Sequence, residues 1–216
     1  MKKSVIIAAC AALLMTGCAN EYNQVYKAAT PSYKYEYAKQ CFAQGKYSRA
    51  IPLLQDVVTM KKGSTEGEEC LYMLAMAEYG LKDYETASEY FKKYYSSYPK
   101  GLYAENAKYF VGESLFQNAP EPRLDQSTTY TAISAFQEYL DLFPDARFKA
   151  QATERLYALQ DLLVEKEYKS ASLYFGMGTY FGNCTEGGNN YEACIVTAQN
   201  ALKDYPYSNK REEFAT

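Results

Sequence analysis

The sequence predicts an all-α fold, a solenoid of helix–turn–helix pairs, from a recurring motif and from the periodicity of its apolar residues. In the motif, Tyr or Thr is followed three positions later by a small residue and, twelve positions after that, by Pro. Its copies are Tyr84, Ala87 and Pro99; Thr129, Ala132 and Pro144; and Tyr191, Cys194 and Pro206. Apolar residues recur every third or fourth position around them, as along one face of an α-helix.

The spacing of the copies is typical of tetratricopeptide (TPR) repeats, in which each repeat is a pair of helices. A weaker first copy, with Tyr47 and Ala50, lacks the Pro. We therefore predict about four to five repeats over residues 32–216. One repeat cannot bury its apolar face alone, so repeats stack and expose a grooved surface. Proteins of this kind usually bind other proteins.

Two helix pairs are predicted in the first half of the chain. The first helix is indicated by an apolar stripe, formed by Tyr33, Tyr37, Ala38, Cys41 and Phe42. Gly45 ends this helix, and its partner is predicted over residues 47–60. The next pair is predicted over residues 70–79 and 84–98, where small residues let the helix axes approach and aromatic rings fill the surrounding space.

The second half has a longer turn and a longer helix. A helix over residues 102–117 is followed by a loop over 118–126, which contains two Pro and lengthens the turn before a helix over 129–143. A long helix over 148–165 continues almost without a break through 168–176. The last predicted helix covers residues 191–204, after a loop rich in Gly and Asn over 182–190.

The composition argues against catalysis and against binding of nucleic acid. The chain has no His, which excludes His-based acid–base catalysis, the usual Ser and Cys triads and most catalytic zinc sites. Its net charge of −3 opposes binding to phosphates. Gly176 and Gly178 lack the Lys and the Ser or Thr of a phosphate-binding loop. We predict a protein that is not an enzyme and has no metal or other cofactor.

The N-terminus has the pattern of an export signal. A basic start is followed by an apolar run over residues 5–15, too short for the ~20 residues that span a bilayer. Its ending resembles a bacterial lipoprotein signal, which implies cleavage after residue 17 and a lipid, such as palmitate, on Cys18. Residues 1–17 are then the signal peptide and 18–31 a lipidated N-terminus and tether. A plain signal peptide is the alternative.

Four further cysteines lie in the mature chain. Cys41 and Cys70 are expected roughly two helical turns apart along the stack, about 12 Å, which exceeds the ~7 Å between Cα atoms that a disulfide allows. We expect both to be buried as small hydrophobic residues. Cys184 and Cys194 flank Gly187 and Gly188 and are a possible disulfide in an oxidising periplasm, with free thiols as the alternative.

Several segments together carry a family resemblance. They are the signal ending at Cys18, the order of the TPR pairs, the loop over 119–126, the stretch over 163–180 and the ending over 201–206. With these segments the chain resembles the BamD family, TPR lipoproteins of the outer-membrane β-barrel assembly machinery, and it looks like a Bacteroidetes member. The resemblance implies an outer-membrane lipoprotein that faces the periplasm. It also implies two kinds of partner: the POTRA domains of a BamA-like barrel protein, and unfolded outer-membrane proteins as clients.

The resemblance also suggests where the partners bind. Client segments are expected in a groove of the first repeats, lined by Tyr33, Tyr37, Tyr72, Tyr79 and Tyr109. The POTRA-containing partner is expected at the last repeats, near Tyr180, Thr197 and Asn200. Thr197 stands where relatives often carry Arg, and the family continues beyond the position of Thr216. We therefore expect a truncated or unusually short C-terminal cap.

Two other functions remain open at this level. One is a TPR lipoprotein adaptor that coordinates envelope division or peptidoglycan synthesis and is unrelated to barrel assembly. The other is a peptidoglycan-active enzyme that carries a TPR region, although no segment outside the repeats is long enough for a catalytic domain. The identity of the partner separates the adaptor from barrel assembly.

Overall fold

The structure is a computed structural model that describes residues 21–178, 190–205, 208 and 210. No strand occurs in these ranges, and residues 21–28 form α1. The helices that follow are α2 (Pro31–Ala43), α3 (Tyr47–Met60), α4 (Thr65–Gly80), α5 (Tyr84–Ser97), α6 (Ala104–Gln117), α7 (Ser127–Leu142), α8 (Lys149–Met177) and α9 (Asn190–Asp204). The predicted all-α fold of TPR-type helix pairs is confirmed.

Two stretches differ from the prediction. Residues 149–177 form one helix of 29 residues, because no Pro separates the two predicted segments. Residues 21–28 are helical although they fall within the predicted tether, and Val25 is buried. Its buried side chain makes α1 part of the folded body.

Side-chain caps fix the starts of three helices. The Oγ1 of Thr30 accepts from the N–H of Tyr33, and the Oγ of Ser64 accepts from the N–H of Gly67 at 3.1 Å. Asp83 accepts from the N–H of the residue three positions later, also at 3.1 Å. These acceptors pair amides that a helix start leaves without a partner, which stabilises each helix by about 1 kcal/mol.

The chain divides into two compact units, Met1–Ala104 (unit 1) and Glu105–Thr216 (unit 2). In unit 1, α2 packs on α3, α3 on α4, and α4 on α5. The large side chains buried in its core include Leu53, Leu54, Leu74, Phe91 and Tyr94. An ion pair of 2.6 Å between Lys34 and Asp56 joins α2 to α3 beside this core.

In unit 2, α7 packs on α8, and α8 packs on α9. The large hydrophobic side chains buried in this unit include Phe136, Tyr139, Leu159, Leu163 and Val164. Gly112 of α6 lets the ring of Phe136 approach the backbone, since a Cβ at that position would lie 2.8 Å from ring carbons. None of the helices in the described ranges has both the length and the apolar character needed to cross a bilayer.

Candidate functional site

A buried tyrosine ties together two helices and a turn in unit 1. The Tyr94 hydroxyl donates to Oε1 of Glu68 at 2.6 Å and accepts from the N–H of Tyr103 at 3.1 Å. The same Oε1 accepts from the N–H of Leu102 at 3.0 Å. Burial, and then the bond to Glu68, raise the pKa of Tyr94. The carboxylate of Glu68 is therefore engaged in holding α4, α5 and the turn after α5 together.

Unit 2 repeats this arrangement. The Tyr139 hydroxyl donates to Oε1 of Glu105 at 3.2 Å and accepts from the N–H of Phe148 at 3.3 Å. Oε1 of Glu105 also accepts from the N–H of Arg147 at 2.8 Å. Burial raises the pKa of Tyr139 to about 12, so its hydroxyl is a protonated donor at neutral pH. In each unit this bond network fixes one helix pair and the turn that follows it.

α1 and α2 of unit 1 each carry a pair of stacked tyrosines. The rings of Tyr22 and Tyr26 stack with 6.3 Å between centroids, and those of Tyr33 and Tyr37 with 6.5 Å. Tyr26 and Tyr33 are exposed. Tyr33 also borders a cavity of about 450 Å³ whose other apolar residues are Val25, Ala28 and Ala29. We call these four tyrosines the α1–α2 aromatic surface.

This surface contains two of the predicted client-groove residues and two that the sequence analysis missed. Tyr33 and Tyr37 were predicted, whereas Tyr22 and Tyr26 fall in the segment assigned to the tether. Their spacing of four positions places both rings on one face of a helix. That spacing was the available signal, but a helix there could be recognised only once Val25 was seen to be buried.

Two further predicted groove residues are half-buried in the packing of unit 1. The ring of Tyr72 stacks on Tyr103 with 4.3 Å between centroids. Tyr79 meets Tyr84 edge to face at 5.3 Å. Both rings therefore stabilise helix pairs and leave only part of their surface for a ligand.

Tyr109 requires a correction. It lies in unit 2 and is only 6% exposed. Its ring stacks on Phe148 with 4.5 Å between centroids, and its hydroxyl donates to Glu113 at 3.2 Å. A side chain buried in this way is a core residue and does not line an open groove.

The described part of the predicted partner interface lies on α9. Thr197 is half-buried and Asn200 is exposed. Ile195 and Val196 are 56% and 49% exposed, which is high for aliphatic side chains. Asn200 follows Val196 by four positions and so shares its face of the helix. We call the exposed side chains of Ile195, Val196 and Asn200 the α9 face.

The other predicted site residues, Cys18, Tyr180 and Cys184, lie outside the described residues. Lipidation of Cys18 and a bridge from Cys184 to Cys194 therefore remain predictions. Cys41 and Cys70 are buried with free thiols, which confirms their expected role as small core residues. Burial raises the pKa of the Cys70 thiol to about 12, which keeps it protonated and unreactive.

The carboxylates described above are engaged in holding helices together. Besides Glu68 and Glu105, Glu69 accepts from the Tyr35 hydroxyl, and Glu66 pairs with Lys61 at 2.7 Å. Within the described ranges, no group of His, Cys, Asp or Glu is placed to hold a metal ion. The α1–α2 aromatic surface presents tyrosine rings, and the α9 face presents the aliphatic side chains of Ile195 and Val196.

Comparison with known proteins places the chain in a family. Residues 27–214 match the family described as YfiO, outer membrane lipoprotein. The chain belongs to this family. The match includes every helix from α2 to α9, and membership associates the chain with the outer membrane.

Two curated relatives carry the same protein name. One is the outer membrane protein assembly factor BamD of Haemophilus influenzae, 26% identical over 184 residues, which are 80% of this chain and 69% of the relative. The other is the outer membrane protein assembly factor BamD of Caulobacter vibrioides, 22% identical over 176 residues. That alignment covers 80% of this chain and 58% of the relative.

Proposed function

We propose that this protein is a lipid-anchored scaffold on the periplasmic side of the outer membrane that helps to assemble β-barrel outer-membrane proteins. It binds the POTRA region of a barrel insertase and segments of unfolded client proteins, and it carries out no reaction of its own. The observation that carries the proposal is the family match over residues 27–214, together with two relatives named as outer membrane protein assembly factors.

The α1–α2 aromatic surface supports the binding of clients. An unfolded outer-membrane protein offers alternating apolar side chains and unpaired backbone groups. Tyrosine rings bury the apolar side chains, while the phenol hydroxyls exchange hydrogen bonds with backbone or water. Tyr33 is 53% exposed beside the cavity, so its ring is available for such a contact.

The α9 face supports the binding of a folded partner. Aliphatic side chains as exposed as Ile195 and Val196 gain free energy when a partner covers them, by about 25 cal/mol per Å² of buried apolar surface. Asn200 adds a polar group on the same face, as at the rim of a protein interface. This face is the proposed site for the POTRA region.

The position of α1 supports a short membrane anchor. Residue 21 is already helical, and Val25 is buried in unit 1. Two residues, Ala19 and Asn20, separate Cys18 from Glu21, and the Cα–Cα steps between Cys18 and Glu21 span about 10 Å when fully extended. A lipid on Cys18 would therefore hold unit 1 close to the membrane surface.

The test is affinity purification of the tagged, lipidated protein from detergent-solubilised outer membranes of its own host, followed by mass spectrometry. A POTRA-containing barrel protein among the main partners is the expected result. Ile195→Asp should reduce its recovery at least about tenfold, because it places a charge within the buried part of an interface. Gln151→Asp, at an exposed position of α8, is the matched control.

Clients are tested with a photo-crosslinking amino acid at Tyr33 and, as the control, at exposed Lys92 of α5. Crosslinks to outer-membrane proteins from Tyr33 but not from Lys92 support the client surface. Recovery of envelope-division or peptidoglycan proteins, with no barrel protein, would contradict the proposed function and favour the adaptor alternative.

A further inference from the structure

A cleft in unit 2 lies between the α6–α7 loop and the second half of α8. Its volume is about 640 Å³, within the range of ligand-binding sites. It is lined by Pro122, Arg123, Lys166, Tyr168, Lys169, Ser170, Ser172 and Leu173. Among the residues that the structure describes, no acidic side chain lines it, although the chain as a whole has a net charge of −3.

The cationic side chains of this cleft differ in whether a carboxylate pairs with them. Lys169 pairs with Glu165 at 2.7 Å. Within the part of the chain that the structure describes, Arg123 and Lys166 form no ion pair. Asp125 is the acidic neighbour whose pKa Lys166 helps to lower, after the larger effect of hydrogen bonds from Ser127. Two cationic side chains thus remain for a ligand.

The loop that carries Arg123 is internally braced. The Gln126 side chain is buried, and its Nε2 donates to the carbonyls of Glu121 at 2.8 Å and Leu124 at 3.1 Å. Its Oε1 accepts from the Thr129 hydroxyl at 2.7 Å. These bonds fix the loop before any ligand arrives, which lowers the entropy lost on binding.

The walls favour a peptide over a phosphate group. Phosphate sites usually combine cations with unpaired amides at a helix start. The α8 residues of this cleft, Lys166 to Leu173, lie inside a helix that runs from Lys149 to Met177, so their amides are engaged within it. A guanidinium and an ammonium suit carboxylates, and the partly exposed Pro122, Tyr168 and Leu173 suit neighbouring apolar side chains.

We propose that this cleft binds an extended polypeptide segment of a partner in which acidic and apolar side chains alternate. One carboxylate pairs with Arg123 and the next with Lys166, while an apolar side chain packs on Tyr168 and Leu173. The inference goes beyond the proposed function, since it concerns unit 2 alone and stands whatever the partner on α9 is.

The test uses the full-length lipidated protein in an uncharged detergent and measures fluorescence anisotropy. The probe is a labelled peptide, Gly-Ser-Asp-Phe-Glu-Leu-Asp-Ser-Gly, and the comparison peptide has Asn and Gln in place of Asp and Glu. The acidic peptide should bind at least about tenfold more tightly, and its affinity should fall as salt is added. Arg123→Glu with Lys166→Glu should abolish this difference.

The matched control is Lys92→Glu with Lys93→Glu, which reverses two exposed charges on α5 of unit 1. This variant should keep the preference for the acidic peptide, and circular dichroism should show an unchanged helix content in both variants. Equal affinity for the two peptides would overturn the proposal, as would an Arg123→Glu, Lys166→Glu protein that still prefers the acidic one. Binding of phosphatidylglycerol vesicles in place of the peptide would overturn it as well.

Discussion

Unit 1 and unit 2 use the same aromatic frame to join a helix pair to the turn that follows it. Tyr94 and Phe91 of α5 have counterparts 45 positions later, Tyr139 and Phe136 of α7. The N–H groups that the two hydroxyls accept from, those of Tyr103 and Phe148, are separated by the same distance along the chain. α5 with the turn after it and α7 with the turn after it therefore make the same contacts at equivalent positions.

The first helix of each pair follows a different spacing. Glu68 and Tyr72 of α4 correspond to Glu105 and Tyr109 of α6, which lie 37 positions later. This spacing is shorter than the 45 positions between α5 and α7, because the α6–α7 loop is longer than the turn between α4 and α5. The ring stacks of the two units remain alike, at 4.3 Å for Tyr72 on Tyr103 and 4.5 Å for Tyr109 on Phe148. A loop insertion therefore leaves the core intact, and it builds the wall of the cleft proposed above.

The units differ in the polarity of the helix that carries these rings. In α4, Met76 and Ala77 occupy the positions that Glu113 and Ser114 occupy in α6. Glu113 is buried and accepts from Nε of Arg155 at 3.0 Å, and this bond raises the pKa of Arg155. Unit 2 thus joins α6 to α8 with a charged pair at a position where unit 1 uses an apolar side chain.

The largest loss of stability is expected at the buried phenylalanines that the two units share. Phe91→Ala and Phe136→Ala should each destabilise the protein by about 3–5 kcal/mol, since both rings are fully buried and their removal leaves a cavity. Urea denaturation followed by circular dichroism measures the loss, and hydrogen exchange locates it. A loss below 1 kcal/mol in only one variant would show that the two aromatic frames are not equivalent.

The charged pair is the next test. Arg155→Leu should cost about 2 kcal/mol, because it leaves the buried Glu113 carboxylate without its cation, and Arg155 itself is about one third exposed. Adding Glu113→Met, the residue of unit 1 at this position, should restore most of the stability. A double variant as unstable as the single one would mean that the pair has no apolar substitute.

A smaller loss is expected from the bridging hydroxyls. Tyr94→Phe and Tyr139→Phe should each cost about 1–2 kcal/mol, because each removes a donor to a carboxylate and an acceptor for a backbone N–H. Thermal unfolding measures both variants against Tyr130→Phe, whose ring is exposed. The prediction fails if the two buried positions behave like the exposed one.

The smallest expected effect is a gain in stability. The Oγ of Ser114 is buried and has no hydrogen-bond partner among the described residues, whereas unit 1 has Ala77 at this position. Ser114→Ala should therefore stabilise the protein by about 1 kcal/mol, as expected when a buried polar group without a partner is removed. Urea denaturation gives the sign, and a loss of stability would contradict the interpretation of Ser114.

Helix bounds and the all-α fold followed from local sequence. The bounds of α3 were predicted as observed, and α9 differs by one residue at its start. Such bounds depend on apolar periodicity and on turn residues such as Gly45, which adopts a positive φ of 69°. α1 was missed because this short, mostly polar and aromatic segment forms a helix only with the burial of Val25.

The candidate sites were predicted less completely than the fold. The helical spacing of the tyrosines could not show that Tyr33 is exposed and Tyr109 is buried, because both residues fit the same apolar pattern. The cleft was missed because Arg123 and Lys166 are more than forty positions apart. Their proximity arises only when the α6–α7 loop folds back beside α8.

The sequence by itself determined the helices, their pairing into repeats and the family resemblance, because periodicity, turn residues and motif order are local properties of the chain. The tertiary structure alone decided which tyrosines and charges face solvent. Whether a side chain faces solvent depends on what packs over it. The ring of Phe148 covers Tyr109, whereas Arg123 lines the cleft beside α8. Contacts between residues distant in sequence set burial, and burial decides whether a side chain stabilises the fold or is free to bind a partner.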